Sequence, residues 1–227
     1  METEQLTEVV LPGVVDPEGL RLHTAPVPAP AAGQVVIRME ATGVSFAEQQ
    51  MRRGRYYDQP PFPFVPGYDL VGTVAAVGAG ADPGLLGQRV AALTKVGGWA
   101  SHVVVEAADT VAVPAGLDPA AAETVVVNGI TAWQMLHRKA RVRSGQTILV
   151  HGANGRHAYF YNIWAGRGLA RRRFRARLRH DLTQVLQAMA AGHITAQVAA
   201  RFPLARAADA LRLAESGTVA GKVVLSP

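Results

Sequence analysis

The chain has 227 residues, 49% of them hydrophobic and 18% charged, enough for one good core or two modest ones and too apolar for a disordered chain. It contains no cysteine, which excludes disulfides, thiolate zinc sites and a cysteine nucleophile. The formal net charge is +6, but seven arginines fall between Arg167 and Arg179; the excess is local, and a solvated or subunit-facing helix accounts for it better than a nucleic-acid partner does.

No apolar run reaches the roughly 18 residues of a membrane span. Met1 is followed by Glu2, Glu4 and Glu8 where a secretory leader carries basic residues and then an apolar stretch. The expected location is the cytoplasm, with no membrane partner.

Residues 1–117 hold short β-type runs, VVIRMEA, LVGTVAAVG, QRVAAL and ASHVVV, separated by Gly and Pro at short intervals, the pattern of a barrel-like lobe. From residue 118 the pattern turns helical, with helices on either side of Asn128-Gly129-Ile130-Thr131. A hydrophobic strand is expected at residues 147–150, followed by the glycine turn Gly152-Ala153-Asn154-Gly155. A dinucleotide fold then requires a helix whose free N–H groups face the pyrophosphate. Instead Gly155 runs into RHAYFYNIWAG, which reads as another strand. Two parallel neighbours need a crossover of about a dozen residues or more, and residues 155–157 leave none. An arginine-rich helix is expected over residues 169–191, with Phe174, Leu178, Leu182, Val185 and Met189 inward and Gly192 as its stop. A second helix within ARFPLARAADALRLAESG and a strand at residues 221–225 close the chain.

Five ordered stretches, ATGVSFAEQQMRRGRYY (residues 41–57), PFVPGYDLVGTV (63–74), NGITAWQML (128–136), SGQTILVHGANG (144–155) and SGTVAGKVVL (216–225), make the chain resemble the medium-chain dehydrogenase/reductase superfamily, in its zinc-independent quinone oxidoreductase-like branch. The resemblance implies a mixed α/β fold: a GroES-like β-barrel substrate lobe over residues 1–117, and over 118–227 a truncated Rossmann-like domain with C-terminal helices and a last strand returning to the sheet. Members bind NADPH between the lobes and reduce quinones, enones or enoyl thioesters. Against that pattern, on the order of 100 residues after Gly155 are missing, at about 30 per strand-helix-strand unit. Zinc-dependent relatives carry a His-Glu pair where this chain has Tyr68 and Asp69, so no zinc is expected.

By the same resemblance Ser45, Glu48 and Tyr56 lie beside the nicotinamide and substrate, Asn128 and Thr131 meet the nicotinamide ribose and carboxamide, and Asn162 and Trp164 pass the ring. Lys222 reaches phosphate groups in relatives, and Gly152, Ala153 and Gly155 are the part left of the phosphate turn. Chemically, Tyr56 or Tyr57 can donate to a developing enolate, and Glu48 can act as a base if burial raises its pKa; the plainer alternative is that both shape a loop around Arg52, Arg53 and Gly54. Asn128 and Thr131 can instead cap a helix, and Asp69 is expected to anchor the loop after Pro66 rather than catalyse. Tyr68 shares that ambiguity.

Three functions are weighed. The leading one is a redox-neutral enzyme, without bound cofactor, performing a cyclisation, cycloaddition or conjugate addition on a hydrophobic, polyketide-like enone of secondary metabolism. The alternatives are an NADPH-dependent quinone or enone reductase with a residual or subunit-completed cofactor site, and a non-catalytic scaffold. A homodimer through an exposed sheet edge or the arginine-rich helix is a further expectation.

Overall fold

The computed structural model describes residues 4–148 and 171–227. Strands β1 (Gln5–Val10) and β2 (Arg21–Pro26) form an antiparallel pair. The remaining described strands, β3 (Gln34–Val44), β4 (Asp69–Val77), β5 (Arg89–Leu93), β6 (His102–Glu106), β7 (Thr110–Ala112), β8 (Val198–Pro203) and β9 (Lys222–Ser226), make one seven-stranded sheet ordered β7-β5-β4-β3-β9-β8, with β6 also paired to β3. The fold is mixed α/β, as the sequence pattern indicates.

β3 organises this sheet. Its first half pairs with β6 and its last three residues, Thr42, Gly43 and Val44, pair with β9, so the closing strand is stitched onto the longest strand of the N-terminal half. The apolar run Val35-Val36-Ile37 is buried on both faces, which is why β3 shows no clean apolar-polar alternation. Trp99, fully buried, donates its indole N–H to the Gly43 carbonyl at 2.9 Å and pins the same crossing point.

Five helices are described. α1 (Phe46–Arg52) follows β3 directly; Arg52 at its end reaches Glu215 at 2.9 Å and the Val15 carbonyl at 2.6 Å. α2 (Pro119–Thr124) starts with Asp118, which accepts from the Ala121 N–H, and α3 (Val127–Trp133) runs on as a π-helical turn over Gln134–Ala140. α4 (Arg171–Ala190) buries Phe174, Leu182, Val185, Leu186 and Met189 against α3 and β7; the inward series read from the sequence is the face that packs. α5 (Ala207–Ser216) buries Ala207, Ala210 and Leu211 and ends at Gly217, whose φ of +66° is the left-handed stop glycine adopts without strain.

Three expectations need correction. Asn128-Gly129-Ile130-Thr131 lies inside α3 and not between two helices. Residues 198–203 form β8, the last of the described strands in the sheet order and parallel to β9, where the sequence suggested only the approach to a helix. A six-residue strand with Arg and Pro in it carries too little periodicity to be seen alone; the parallel partner reached through α5 makes it a strand. Thr147 and Ile148, the described part of the expected strand at 147–150, are not in one. The remainder of that strand, the turn Gly152, Ala153 and Gly155, and Asn162 and Trp164 lie outside the described residues.

Candidate functional site

Where β3 ends and β9 begins, α1, α2 and α3 converge on a cleft of about 540 Å³ lined by Ser45, Gln49, Thr124, Asn128, Gln197 and Lys222 among others. Three residues expected at the site from the sequence, Ser45, Asn128 and Lys222, are therefore brought together. Thr131, Tyr56, Tyr57 and Tyr68 are not among the lining residues.

Ser45 stands at the N-cap of α1. Its hydroxyl accepts from the Ala47 N–H at 3.2 Å, and Glu48 reaches back to accept the Ser45 N–H at 2.8 Å and, very closely, the Ser45 hydroxyl. This is a capping box, so Ser45 and Glu48 start a helix and do not merely shape a loop. The signal was in the sequence as the spacing Ser-Phe-Ala-Glu over residues 45–48. Glu48 is 1% exposed. Burial pushes its carboxyl pKa up, the Ser45 hydrogen bond opposes this, and the charge of Asp69 adds to the rise.

Beneath the cleft lies a buried ionic cluster. Lys222 Nζ donates to Glu123 Oε1 at 2.7 Å and lies 3.3 Å from Asp69 Oδ2, with both carboxylates 0% exposed. Asp69 Oδ2 also accepts the Val127 N–H at 2.8 Å, so Asp69 caps α3, the part the sequence suggested for Asn128. Asp69 thus anchors structure, though the start of α3 rather than the loop after Pro66. Burial disfavours the Lys222 ammonium, but Asp69 and Glu123 outweigh it and raise its pKa. Burial raises Glu123 well above its ordinary value; Asp69 reinforces the rise and Lys222 opposes it. Gly43 makes the cluster possible, because a Cβ there would fall 2.1 Å from Lys222 Cε and 2.4 Å from Glu123 Oε1. Glu123 was not anticipated; a single acid inside the apolar run AAAETVVV was its only signal. The ammonium of Lys222 is thus engaged by two carboxylates, which leaves it poorly placed for the phosphate contact the resemblance implies.

Tyr56 and Tyr68 lie apart from the cleft lining, their hydroxyls 2.9 Å from each other in an edge-on pair. Burial raises the Tyr56 pKa, with the Tyr68 hydrogen bond opposing. Tyr57 is 58% exposed, and Thr131 is half-buried within α3.

Comparison with known families is decisive on ancestry. The family model described as alcohol dehydrogenase GroES-like domain matches residues 31–115, and the one described as zinc-binding dehydrogenase matches residues 91–225. The chain belongs to the zinc-binding dehydrogenase family. It falls in the medium-chain dehydrogenase/reductase superfamily with quinone oxidoreductase-like relatives. The synaptic vesicle membrane protein VAT-1 homolog of Rattus norvegicus is 37% identical over 65% of this chain and 37% of its own length. The quinone oxidoreductase of the same species is 36% identical over 61% of this chain and 43% of its own length. The chain thus spans well under half of these relatives. A mycobacterial structure complexed with NADPH is 21% identical, with 98% of this chain and 100% of that chain covered at a TM-score of 0.77, a likeness of fold.

The family's zinc does not fit this dehydrogenase-family chain. It has no cysteine, Asp69 and Glu123 are bound to an ammonium, and among the described residues no group of three or more His, Asp or Glu is placed to hold a metal ion. Among the same residues no helix is long and apolar enough to cross a membrane.

Proposed function

We propose that the chain is a small-molecule enzyme of dehydrogenase ancestry that holds an uncharged, carbonyl-bearing compound in the cleft and carries out a redox-neutral step on it, a cyclisation, cycloaddition or conjugate addition on a polyketide-like enone. The observation that carries this reading is the character of the cleft. Its described lining offers hydrogen-bonding groups from Ser45, Gln49, Thr124, Asn128 and Gln197, and its single charged residue, Lys222, is neutralised from below. Such a surface favours a neutral carbonyl over a phosphate-bearing molecule. Donors fixed on helices can orient a flexible enone and stabilise negative charge developing on its oxygen.

Chain length supports the absence of a firmly held coenzyme. Residues 149–170 are fewer than the roughly 30 that one strand-helix-strand unit needs, whereas a doubly wound nucleotide domain needs several. Ser45 and Asn128 are the proposed substrate donors. Tyr56, set beside Tyr68 and off the described lining, takes part only if the substrate extends beyond this cleft.

The competing reading is an NADPH-dependent quinone or enone reductase, and the NADPH-bound relative of the same fold is the observation in its favour. Calorimetric titration with NADPH, followed by an enone panel analysed by chromatography with and without the nucleotide, separates the two. Isomeric product without nucleotide supports the redox-neutral reading. Micromolar NADPH binding with nucleotide-dependent reduction replaces it with the reductase.

A further inference from the structure

The floor of the cleft holds more acid than its one base can balance. Glu48 comes from α1, Asp69 from β4, Glu123 from α2 and Lys222 from β9, and all four are buried. With every group ionised this pocket would carry two uncompensated negative charges shielded from water, an arrangement that a folded chain avoids by pairing or neutralising them. The hydrogen bonding has the same gap. Among the described residues Glu48 Oε1, Asp69 Oδ1 and Glu123 Oε2 are each buried without a hydrogen-bond donor, and the Glu123 and Asp69 carboxyls are placed so that one can donate to the other once protonated. Three acceptor oxygens without donors around one ammonium are the arrangement expected where part of a carboxyl cluster carries protons. No metal ion relieves the imbalance, because Lys222 Nζ already stands between Glu123 and Asp69.

One member has an outlet. Ser45 lines the cleft, and its hydroxyl is in close hydrogen-bond contact with Glu48 Oε2. Asp69 and Glu123 do not line the cleft. A path therefore runs from buried acid to cleft through one hydroxyl.

We propose that Glu48 and Glu123 form a proton store beneath the cleft, each holding one proton at neutral pH, and that Glu48 exchanges its proton with a carbonyl compound in the cleft through the Ser45 hydroxyl. In the outward step the Glu48 O–H bond breaks and a new Ser45 O–H bond forms. The original Ser45 hydroxyl proton bonds to the ligand oxygen, and Glu48 is left a carboxylate held by the Ser45 N–H and O–H. The reverse step returns the proton when the product oxygen releases it, so the cycle needs no co-reactant. Glu48 and Glu123 are the groups whose pKa burial raises, while Lys222 keeps its charge, which matches a store of two protons and one ammonium. Glu48 here is a positioning residue that acts through Ser45. The outlet, though not the store, rests on the proposed use of the cleft by a neutral carbonyl ligand.

Infrared spectroscopy of the whole chain tests both parts. At neutral pH the spectrum should show the carbonyl stretch of protonated carboxyls, with one contribution lost in Glu48→Gln and another in Glu123→Gln; a native spectrum with no such stretch overturns the store without requiring any variant to fold. Cyclohexenone is the probe for the outlet. Its binding, followed calorimetrically, should shift the Glu48 band in the native chain and leave it unmoved in Ser45→Ala. Binding that leaves the Glu48 band in place overturns the outlet while the cleft reading stands. No binding at all overturns the outlet together with the cleft reading, and the store is then decided by the bands alone.

Discussion

Two regions of this molecule are dominated by charge, and they behave oppositely. Beneath the cleft, one lysine and two carboxylates are shut away from water, the lysine side chain 5% exposed and the acids 0%. Along α4, Arg171, Arg172 and Arg173 face solvent, while Arg175 is tied to Asp109 at 2.7 Å. The arginines dominate the net charge, yet the three that open the helix are exposed and lie outside its buried face. The buried trio is nearly silent in the composition and joins β4, α2 and β9. Removing one partner from a buried pair typically costs about 3–5 kcal/mol, because the other charge is left stranded. Lys222→Met should therefore lower unfolding stability by about that amount in urea denaturation. A comparable loss from Arg172→Met would break the contrast.

The same contrast can be sharpened sterically. Gly43 lies in the middle of the β3–β9 pairing, and its missing side chain is the space that Lys222 and Glu123 occupy. Gly43→Ala should cost about 1–3 kcal/mol, the range of an overpacked core, and should be less harmful when Lys222 is already Met. Additive losses in that double-mutant cycle would show that the methyl group meets something other than the ion pair.

Titration gives the next largest effect, and its sign is fixed by which state binds protons. A carboxyl whose pKa is raised in the folded chain stays protonated after its unfolded counterpart has ionised, so stability is full below the ordinary glutamate value of 4.5 and falls as pH rises toward the native value. Asp118, held low by the Arg201 hydrogen bond, has the opposite sign, but only below its ordinary value of 3.8. Lys222 enters only above its ordinary value of 10.5, where deprotonation of the unfolded chain lowers stability. Between these limits Glu48 and Glu123 set the slope. Urea midpoints measured upward from about pH 5 should decline, and Glu48→Gln should flatten the decline; an unchanged slope would assign it wholly to Glu123.

The sequence disclosed the two regions unequally. The arginine helix could be read from residue spacing, because a twenty-residue amphipathic element repeats its signal often enough for Phe174, Leu182, Val185 and Met189 to declare the buried face. The strands β3 to β6 were legible for a similar reason, as β-branched runs bounded by Gly and Pro. The floor of the cleft was not. Asp69 and Lys222 are 153 positions apart and Glu123 lies 99 from Lys222, and no local period links such partners. Ser45 and Glu48 were singled out through resemblance, but their physical tie, a capping box four residues long, was available locally and passed over. β8 was lost because its strand character depends on β9, a partner that arrives only after α5.

The smallest expected effect is on the arginine side, where a null result is the informative one. Replacing Arg171, Arg172 and Arg173 together by Gln removes three of the positive charges behind the net +6 while leaving Phe174 and the buried face of α4 unchanged. Exposed charges separated by solvent and screened by salt add little to folding. The urea midpoint at physiological ionic strength should stay within measurement error of the parent, and at low salt it should rise slightly as like-charge repulsion along the first turn is relieved. A clear destabilisation would mean that these arginines are held in the folded chain by acidic partners, and the division between a structural ionic floor and a merely solvated basic face would have to be redrawn around α4.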